Sequence, residues 1–332
     1  MIRWGIIGCG DVTERKSGPA FQKVPGSALV AVMRRNGELA ADYAKRHGVP
    51  RWYDDAAALI ADREVDAVYV ATPPAQHCEY AIACARAGKP AYVEKPMART
   101  HDECERMNRA FADAGVPLYV AYYRRALPRF VWIKEQIDAG AIGTVRFVRV
   151  LLTRSVAESD KDPATLPWRV RPELSGGGRF VDLGCHTLDL LDHLLGPVAE
   201  VSGVAVNQAR LYPAEDAVAF HLRFESGAIA AGLYSFAGPA HRDEVEIAGD
   251  RGSVRFATFE DEPVRVTATS GSVERTIAHP EHIQEPMIRA VVDELRGVGS
   301  SPSTGESAAR TSWVIDRILE GYRAGMPAPR QG

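Results

Sequence analysis

The chain has 332 residues, enough for two domains that each bury a substantial core. Its 40 Lys and Arg against 43 Asp and Glu leave a formal charge of −3, with the two signs interspersed. That balance excludes the long-range field that draws basic proteins to nucleic acid or anionic membranes.

No apolar stretch is long enough to span a bilayer, and no basic segment with a short apolar run opens the chain as a signal peptide. Cys9, Cys78, Cys84, Cys104 and Cys185 have no C-x-x-C spacing, so reduced thiols in a cytoplasmic protein are expected, with neither disulfides nor a zinc site. The first elements follow at once. An apolar run from Met1 to Ile7 reaches Gly8-Cys9-Gly10-Asp11-Val12, and a helix is expected after it. A strand, two glycines one residue apart and a helix start form the phosphate-binding turn of a dinucleotide fold. Gly8 permits the tight turn, Gly10 permits close backbone approach to a pyrophosphate, and the helix start adds unpaired N–H donors. Thr13 stands where a third Gly or Ala is usual, which predicts looser packing of helix on strand.

Strands are expected at Ala28–Met33, Val65–Ala71, Pro90–Glu94 and Val116–Ala121, and helices at Leu39–His47, Gln76–Ala87 and His101–Ala114. Short apolar strands alternating with amphipathic helices imply βαβ units and a parallel sheet covered on both faces. The pattern changes after Gly143. Val145–Thr153, Val198–Asn207, Ala217–Phe224, Ala228–Ser235, Glu244–Ala248 and Ser253–Phe256 read as strands, several separated by turns such as Glu225-Ser-Gly227. Consecutive strands on short turns indicate an antiparallel sheet. Helices are expected at Cys185–Leu195, Glu285–Arg296 and Gly305–Ala324, with Gly297–Ser303 a mobile loop. The expected fold is therefore α/β: a doubly wound Rossmann domain over 1–122, then an α+β domain over 123–332 with a large, mainly antiparallel open sheet. Such a sheet carries helices on one face and needs cover on the other, so a homodimer or homotetramer through the open face is expected.

Four constellations carry chemistry. The first is the turn at Gly8 to Val12. The second is Arg34-Arg35, which ends the second strand without a carboxylate. An acidic residue there bonds the 2′-OH of NAD and an Arg accommodates the 2′-phosphate of NADP, so NADP is favoured over NAD. The third is Glu94-Lys95-Pro96 at the carboxyl end of a strand, where ligands of parallel sheets lie and an ammonium can stabilise an alkoxide. The fourth is Gly176-Gly-Gly178, which permits close backbone approach, followed by Asp182 and His186 at i, i+4. His186 suits proton transfer near neutral pH, and Asp182 is placed either to orient it or to pair with Lys95. Asp182, His186, Asp189 and His193 fall near one helical face, but no second ligand cluster accompanies them, so no metal is expected. Tyr122, Arg124 and Arg125 end the last strand of the first domain, and Trp168-Arg169 precedes the glycine run. Of these, Tyr122, Arg124, Trp168 and Arg169 are the expected substrate contacts beside Asp182 and His186: an aromatic face suits a sugar ring, arginines suit hydroxyls or a carboxylate, and Arg124, Arg125, Arg169 and Arg171 together make an acidic or phosphorylated substrate worth testing.

Together these motifs, with Ala71-Thr72-Pro73 and His77, resemble the Gfo/Idh/MocA oxidoreductases, the glucose–fructose oxidoreductase and inositol dehydrogenase type. The resemblance runs nearly end to end. It implies a Rossmann domain joined to an antiparallel-sheet domain, dimers or tetramers, and hydride transfer between NAD(P) and a sugar, polyol or related hydroxy compound. It implies a catalytic set of Lys95, Asp182 and His186. It places Thr72, Pro73, His77, Glu94 and Lys95 with the cofactor, Glu94 at the nicotinamide ribose. Pro74 stands where relatives often carry Asn, which removes one cofactor hydrogen bond. Two alternatives accompany this reading: a non-catalytic nucleotide sensor, and an NAD-dependent glycosidase that oxidises its sugar transiently. A dihydrodiol dehydrogenase-like activity is disfavoured, because those relatives carry Tyr where His186 stands.

Overall fold

The computed structural model describes residues 1–269 and 271–325. The chain divides into two compact units, one of Met1–Leu127 with Pro280–Ala309, the other of Pro128–His279 with the residues from Arg310.

The first unit opens with β1 (Ile2–Ile7), whose last four residues are buried. The helix expected after Gly10 is broken by Ser17-Gly18-Pro19 into α1 (Asp11–Arg15) and α2 (Gly18–Lys23). Then come β2 (Ser27–Met33), α3 (Gly37–His47), β3 (Arg51–Tyr53), α4 (Ala56–Ala61), β4 (Ala67–Val70), α5 (His77–Arg86), β5 (Ala91–Val93), α6 (His101–Ala114) and β6 (Leu118–Val120). Asn36 caps α3 by accepting the Leu39 N–H at 3.1 Å, and Gly48 ends it at φ 65°. The six strands pair in parallel in the order β3-β2-β1-β4-β5-β6. Every residue of β4, β5 and β6 is buried, as a sheet covered on both faces requires. The order reverses between β1 and β4, so the crevice at their carboxyl ends is the topological switch point. Gly8 lies there.

The second unit contains α7 (Pro128–Asp138), β7 (Val145–Thr153), α8 (Pro172–Ser175), α9 (Arg179–Leu195), β8 (Val198–Val206), β9 (Ala217–Phe224), β10 (Ile229–Ser235), β11 (Arg242–Gly249), β12 (Gly252–Phe256), β13 (Val264–Ala268) and β14 (Gly271–Arg275). Its eight strands run β14-β13-β12-β11-β7-β10-β9-β8, antiparallel except where β10 pairs with β7. Alternation is clean: Val218, Phe220, Leu222 and Phe224 of β9 are buried, while Ala219, His221 and Arg223 face out. α9 covers the inner face, with the Phe180 ring edge-on to Tyr234 of β10 at 5.2 Å.

Two helices close the chain, α10 (Glu285–Leu295) and α11 (Gly305–Ala324). Residues 280–309, grouped by sequence with the second domain, belong instead to the first unit. The reason is pairing at the free edge of β6. The loop expected to be mobile is pinned there, with the Ser303 hydroxyl donating to the Val120 carbonyl at 2.8 Å and Tyr119 bridging to Thr304. Ser303 is fully buried, and only the stretch from Gly297 to Ser300 is exposed.

Candidate active site

The phosphate turn is built by backbone. Gly8 sits at φ 91° and its N–H donates to the Met33 carbonyl at 2.9 Å, tying the end of β1 to β2. A Cβ there would fall 2.8 Å from Thr72 Cγ2, so no other residue fits without moving β4. A Cβ on Gly10 would meet nothing nearer than the Gly8 carbonyl oxygen at 3.9 Å, which leaves the turn open to an approaching phosphate. Thr13 does not loosen the packing as expected. It is fully buried, its hydroxyl donates to the Gly10 carbonyl at 2.8 Å, and its own carbonyl accepts the Tyr43 hydroxyl at 2.9 Å. Close approach is moved to Gly18, whose Cβ would lie 2.2 Å from the Thr13 carbonyl oxygen. Cys9 is buried, and that burial pushes its thiol up to about 11, so it serves packing and not nucleophilic chemistry. Asp11 is exposed and Val12 half-buried at the start of α1.

Arg34 and Arg35 are both exposed beyond β2, with the Arg34 N–H on the Tyr53 carbonyl at 3.1 Å. At the end of β4, the Thr72 hydroxyl oxygen is buried with no hydrogen-bond partner among the described residues. An orphaned buried hydroxyl beside an open glycine turn fits a ligand that completes it. Pro73 leads into a one-turn segment at Pro74–Gln76. His77 has no exposed surface, and both ring nitrogens face carbonyls: Nε2 at 2.7 Å from Thr72 and Nδ1 at 3.0 Å from Pro96. It therefore ties the Thr72 turn to the Lys95 turn and presents no ring atom to a ligand. Burial lowers its pKa.

Glu94 is buried at the end of β5. Its Oε1 accepts the Tyr69 hydroxyl and the Gln284 side-chain amide, each at 2.6 Å, and its Oε2 accepts the Lys95 N–H at 3.1 Å. Gln284 in turn accepts the Tyr92 hydroxyl at 3.1 Å. Lys95 follows, half-buried, before a cis peptide to Pro96. Tyr122 and Arg124 are buried in the same unit, with the Arg124 guanidinium 5.1 Å over the Tyr123 ring.

In the second unit α9 begins at Arg179, six residues before the sequence reading starts it, so Asp182 and His186 share one helix a turn apart. Both are buried, at 8% and 4% exposure. Asp182 Oδ2 lies 3.2 Å from Arg169 Nε, and the Arg169 guanidinium stacks 4.4 Å from the Trp168 ring. The His186 ring meets the Phe259 ring at 5.9 Å and 77°. Asp189 accepts the Thr311 hydroxyl at 3.4 Å, and Asp192 pairs with Arg310 at 2.9 and 2.7 Å. Among the described residues no group of His, Cys, Asp and Glu is placed to hold a metal.

The glycine run receives a side chain that sequence reading missed. Glu215 is buried in the β8–β9 connection, and its Oε1 accepts the Gly178 N–H at 2.7 Å. A Cβ on Gly178 would fall 2.4 Å from the Glu215 carbonyl oxygen, and one on Gly177 would fall 3.2 Å from Oε1. The close backbone approach expected of these glycines is thus to a carboxylate of the chain itself, which caps α9. Burial pushes that carboxyl up to about 7, against the pull of the Gly178 and Val181 N–H groups and Arg323. Tyr69 and Gln284 were also missed. Gln284 lies 190 residues from Glu94, and no local pattern marks it.

An open glycine turn at the switch point of a doubly wound sheet, in a chain that also holds an antiparallel-sheet unit, is the arrangement of a nucleotide-dependent enzyme. Residues 2–122 match the oxidoreductase family with an NAD-binding Rossmann fold, and residues 130–255 match the GFO/IDH/MocA C-terminal domain. The chain belongs to this GFO/IDH/MocA oxidoreductase family. It is 37% identical over 315 residues to Oxidoreductase P35 of Formosa agariphila, covering 95% of this chain and 97% of that one. Its fold is similar to aldose-aldose oxidoreductase from Caulobacter crescentus complexed with glycerol, with TM-score 0.86, 26% identity and 98% of each chain covered. It is similar also to levoglucosan dehydrogenase in complex with NADH and levoglucosan, with TM-score 0.85, 25% identity and 97% of each chain covered.

Proposed function

We propose that this chain exchanges hydride between NAD(P), with NADP favoured, and a hydroxyl-bearing carbon of a sugar, polyol or related compound. The observation that carries the reading is the buried pair Asp182 and His186, one turn apart on α9, while the buried carboxylates further along that helix, Asp189 and Asp192, are taken up by Thr311 and Arg310. Burying ionisable groups costs stability, and their clustering marks chemistry. With the Gly8 and Cys9 N–H groups spent on the Met33 carbonyl, the backbone N–H groups from Gly10 to Val12 hold the pyrophosphate, Thr72 completes the turn, and Glu94 takes the nicotinamide ribose. Arg34 and Arg35 meet the 2′-phosphate by charge and fork geometry. His77 acts by tying the two turns together.

A bound nicotinamide would supply the hydride acceptor for oxidation of the carbinol carbon and the hydride donor for the reverse. The hydroxyl proton passes to the His186 imidazole. Asp182, itself steadied by Arg169, keeps that ring aligned, and the Lys95 ammonium stabilises the substrate oxygen as its charge grows. The test is fluorescence titration with NADPH and, separately, NADH, followed by a turnover screen of sugars and polyols. Tight NADPH and weaker NADH binding with turnover is expected. Binding of neither nucleotide, by protein freed of any that co-purified, refutes the reading.

The same proposal includes a homodimer or homotetramer joined through the outer face of the eight-stranded sheet. Leu151, Leu233, Ala219 and Val204 are cross-strand neighbours in one apolar row over β7, β10, β9 and β8. Leu233 is 46% and Val204 67% exposed, and Ile229 and Phe147 lie alongside at 57% and 46%. A second copy of this row is its natural cover.

A further inference from the structure

We infer that the substrate carries a carboxylate and that Arg154 binds it; this rests on the dehydrogenase reading above and narrows its substrate class. Val148, Val150 and Leu152 of β7 are buried toward α9, and Arg154 is next on that side in the alternation. Its guanidinium lies 5.6 Å from the centre of the Phe259 ring, the ring that meets His186 edge-on. Arg154 is therefore one aromatic ring removed from the group assigned to the substrate hydroxyl.

The surroundings are fixed in advance. The Asp243 carboxylate accepts the N–H groups of Thr258, Phe259 and Glu260 at 3.0, 2.6 and 3.2 Å. Arg129 donates to the carbonyls of Glu260 and Glu262 at 2.6 and 2.9 Å. A loop held at five backbone groups by two buried charged side chains keeps Phe259, and Arg154 against it, in one place.

Arg154 itself is short of acceptors among the described residues. Its Nε is buried and has no hydrogen-bond partner among the described residues. The nearest carboxylate oxygen, Glu260 Oε1, is 3.8 Å away, and that oxygen lies closer, at 3.0 Å, to His241 Nε2. Arg169, by contrast, has its charge matched by Asp182 at 3.2 Å. Among the described residues Arg154 thus presents N–H donors, a side chain 35% exposed and a charge whose carboxylate neighbour, Glu260, stands beyond hydrogen-bond distance. A guanidinium only donates, and one planar fork matches the two oxygens of a carboxylate. The same fork matches two oxygens of a phosphate, so sugar phosphates are a separate outcome of the test.

The experiment compares polyhydroxy acids with neutral counterparts of the same carbon skeleton, aldonates against alditols and uronates against aldoses, on the full chain with NADP and NAD. The acids are expected to exceed their neutral counterparts in kcat/KM by about 10–100-fold, the range of one charge-assisted hydrogen-bonded contact. Arg154→Gln is expected to collapse that ratio through KM for the acid, and Arg154→Lys to restore only part of it. Melting temperature and nucleotide affinity of both variants report whether they fold. Oxidation of neutral sugars or sugar phosphates in preference to the acids leaves the dehydrogenase reading standing and overturns this inference. If no compound turns over, calorimetry on the nucleotide-loaded protein decides. Acid-selective binding that Arg154→Gln abolishes supports the inference, and equal or absent binding overturns it.

Discussion

Glu215→Gln isolates the energetics of the cap on the helix that carries Asp182 and His186. The ordinary glutamate carboxyl titrates near 4.5, and burial pushes Glu215 to about 7. Each tenfold in proton affinity is about 1.4 kcal/mol, so the gap corresponds to roughly 3 kcal/mol. Because the folded-state value is the higher one, the contribution to stability is fully present below about 4.5 and is lost as pH rises through about 7. The amide in the Glu215→Gln variant neither gains nor loses a proton over that range. The groups that face the carboxyl are the Gly178 and Val181 N–H groups of α9 and Arg323 and Tyr322 of α11, with Asp216 beside it. The melting temperature of the natural protein, relative to the Gln variant, is expected to fall by roughly 6–12 °C from pH 4.5 to pH 8, for about 3 kcal/mol in a unit of this size. Parallel scans of both proteins across that range measure it. A difference that stays constant with pH would show that the carboxyl titrates normally, and the reasoning from burial would be wrong.

Replacing Arg34 and Arg35 together by Ala is expected to lower the preference for NADPH over NADH by about 10–100-fold in fluorescence titration, since two charge-assisted contacts to a 2′-phosphate are removed. An unchanged ratio would place the discrimination elsewhere. His186→Ala should cut turnover by about two to four orders of magnitude, read alongside nucleotide affinity, and unaltered turnover removes His186 from the mechanism. Leu233→Arg puts a charge in the middle of the exposed apolar row of the sheet. Light scattering on the eluting protein should show a smaller species than the natural chain forms, and an unchanged mass means the oligomer uses another face.

Much of the frame was legible because the signals are local. The alternation along β7 and β9 and the helical period of α6 and α11 put those elements at the residues the sequence marks. Short pieces escaped for the same reason. β3 has three residues and α4 six, too few for a period to register, and β13 and β14 lie among polar residues. The sequence reading starts α9 at Cys185 and takes the glycine run as a place of close backbone approach, whereas the Glu215 carboxylate, 37 residues on from Gly178, supplies the cap at which the helix starts. The surroundings of Glu94 and of the glycine run are set by Gln284 and Glu215, 190 and 37 residues away in sequence. A motif names the residues of a site. The partners that fix their orientation come from tertiary folding, which no local spacing encodes.

The placement of residues 280–309 shows what this means for the nucleotide unit. Glu94 is buried, and a buried carboxylate needs donors. Its own strands provide the Tyr69 hydroxyl and the Lys95 N–H, but the Gln284 amide arrives only after the whole second sheet has been made in sequence. The same return segment pins Ser303 on β6 and sets the Gln284 N–H on the Lys16 carbonyl at 3.2 Å, just past α1. Residues 1–127 alone would therefore leave a free edge on β6 and an under-satisfied acid at the end of β5. The family boundary at residue 122 marks where the Rossmann pattern stops in sequence, and the physical unit that holds Glu94 closes only when the chain comes back.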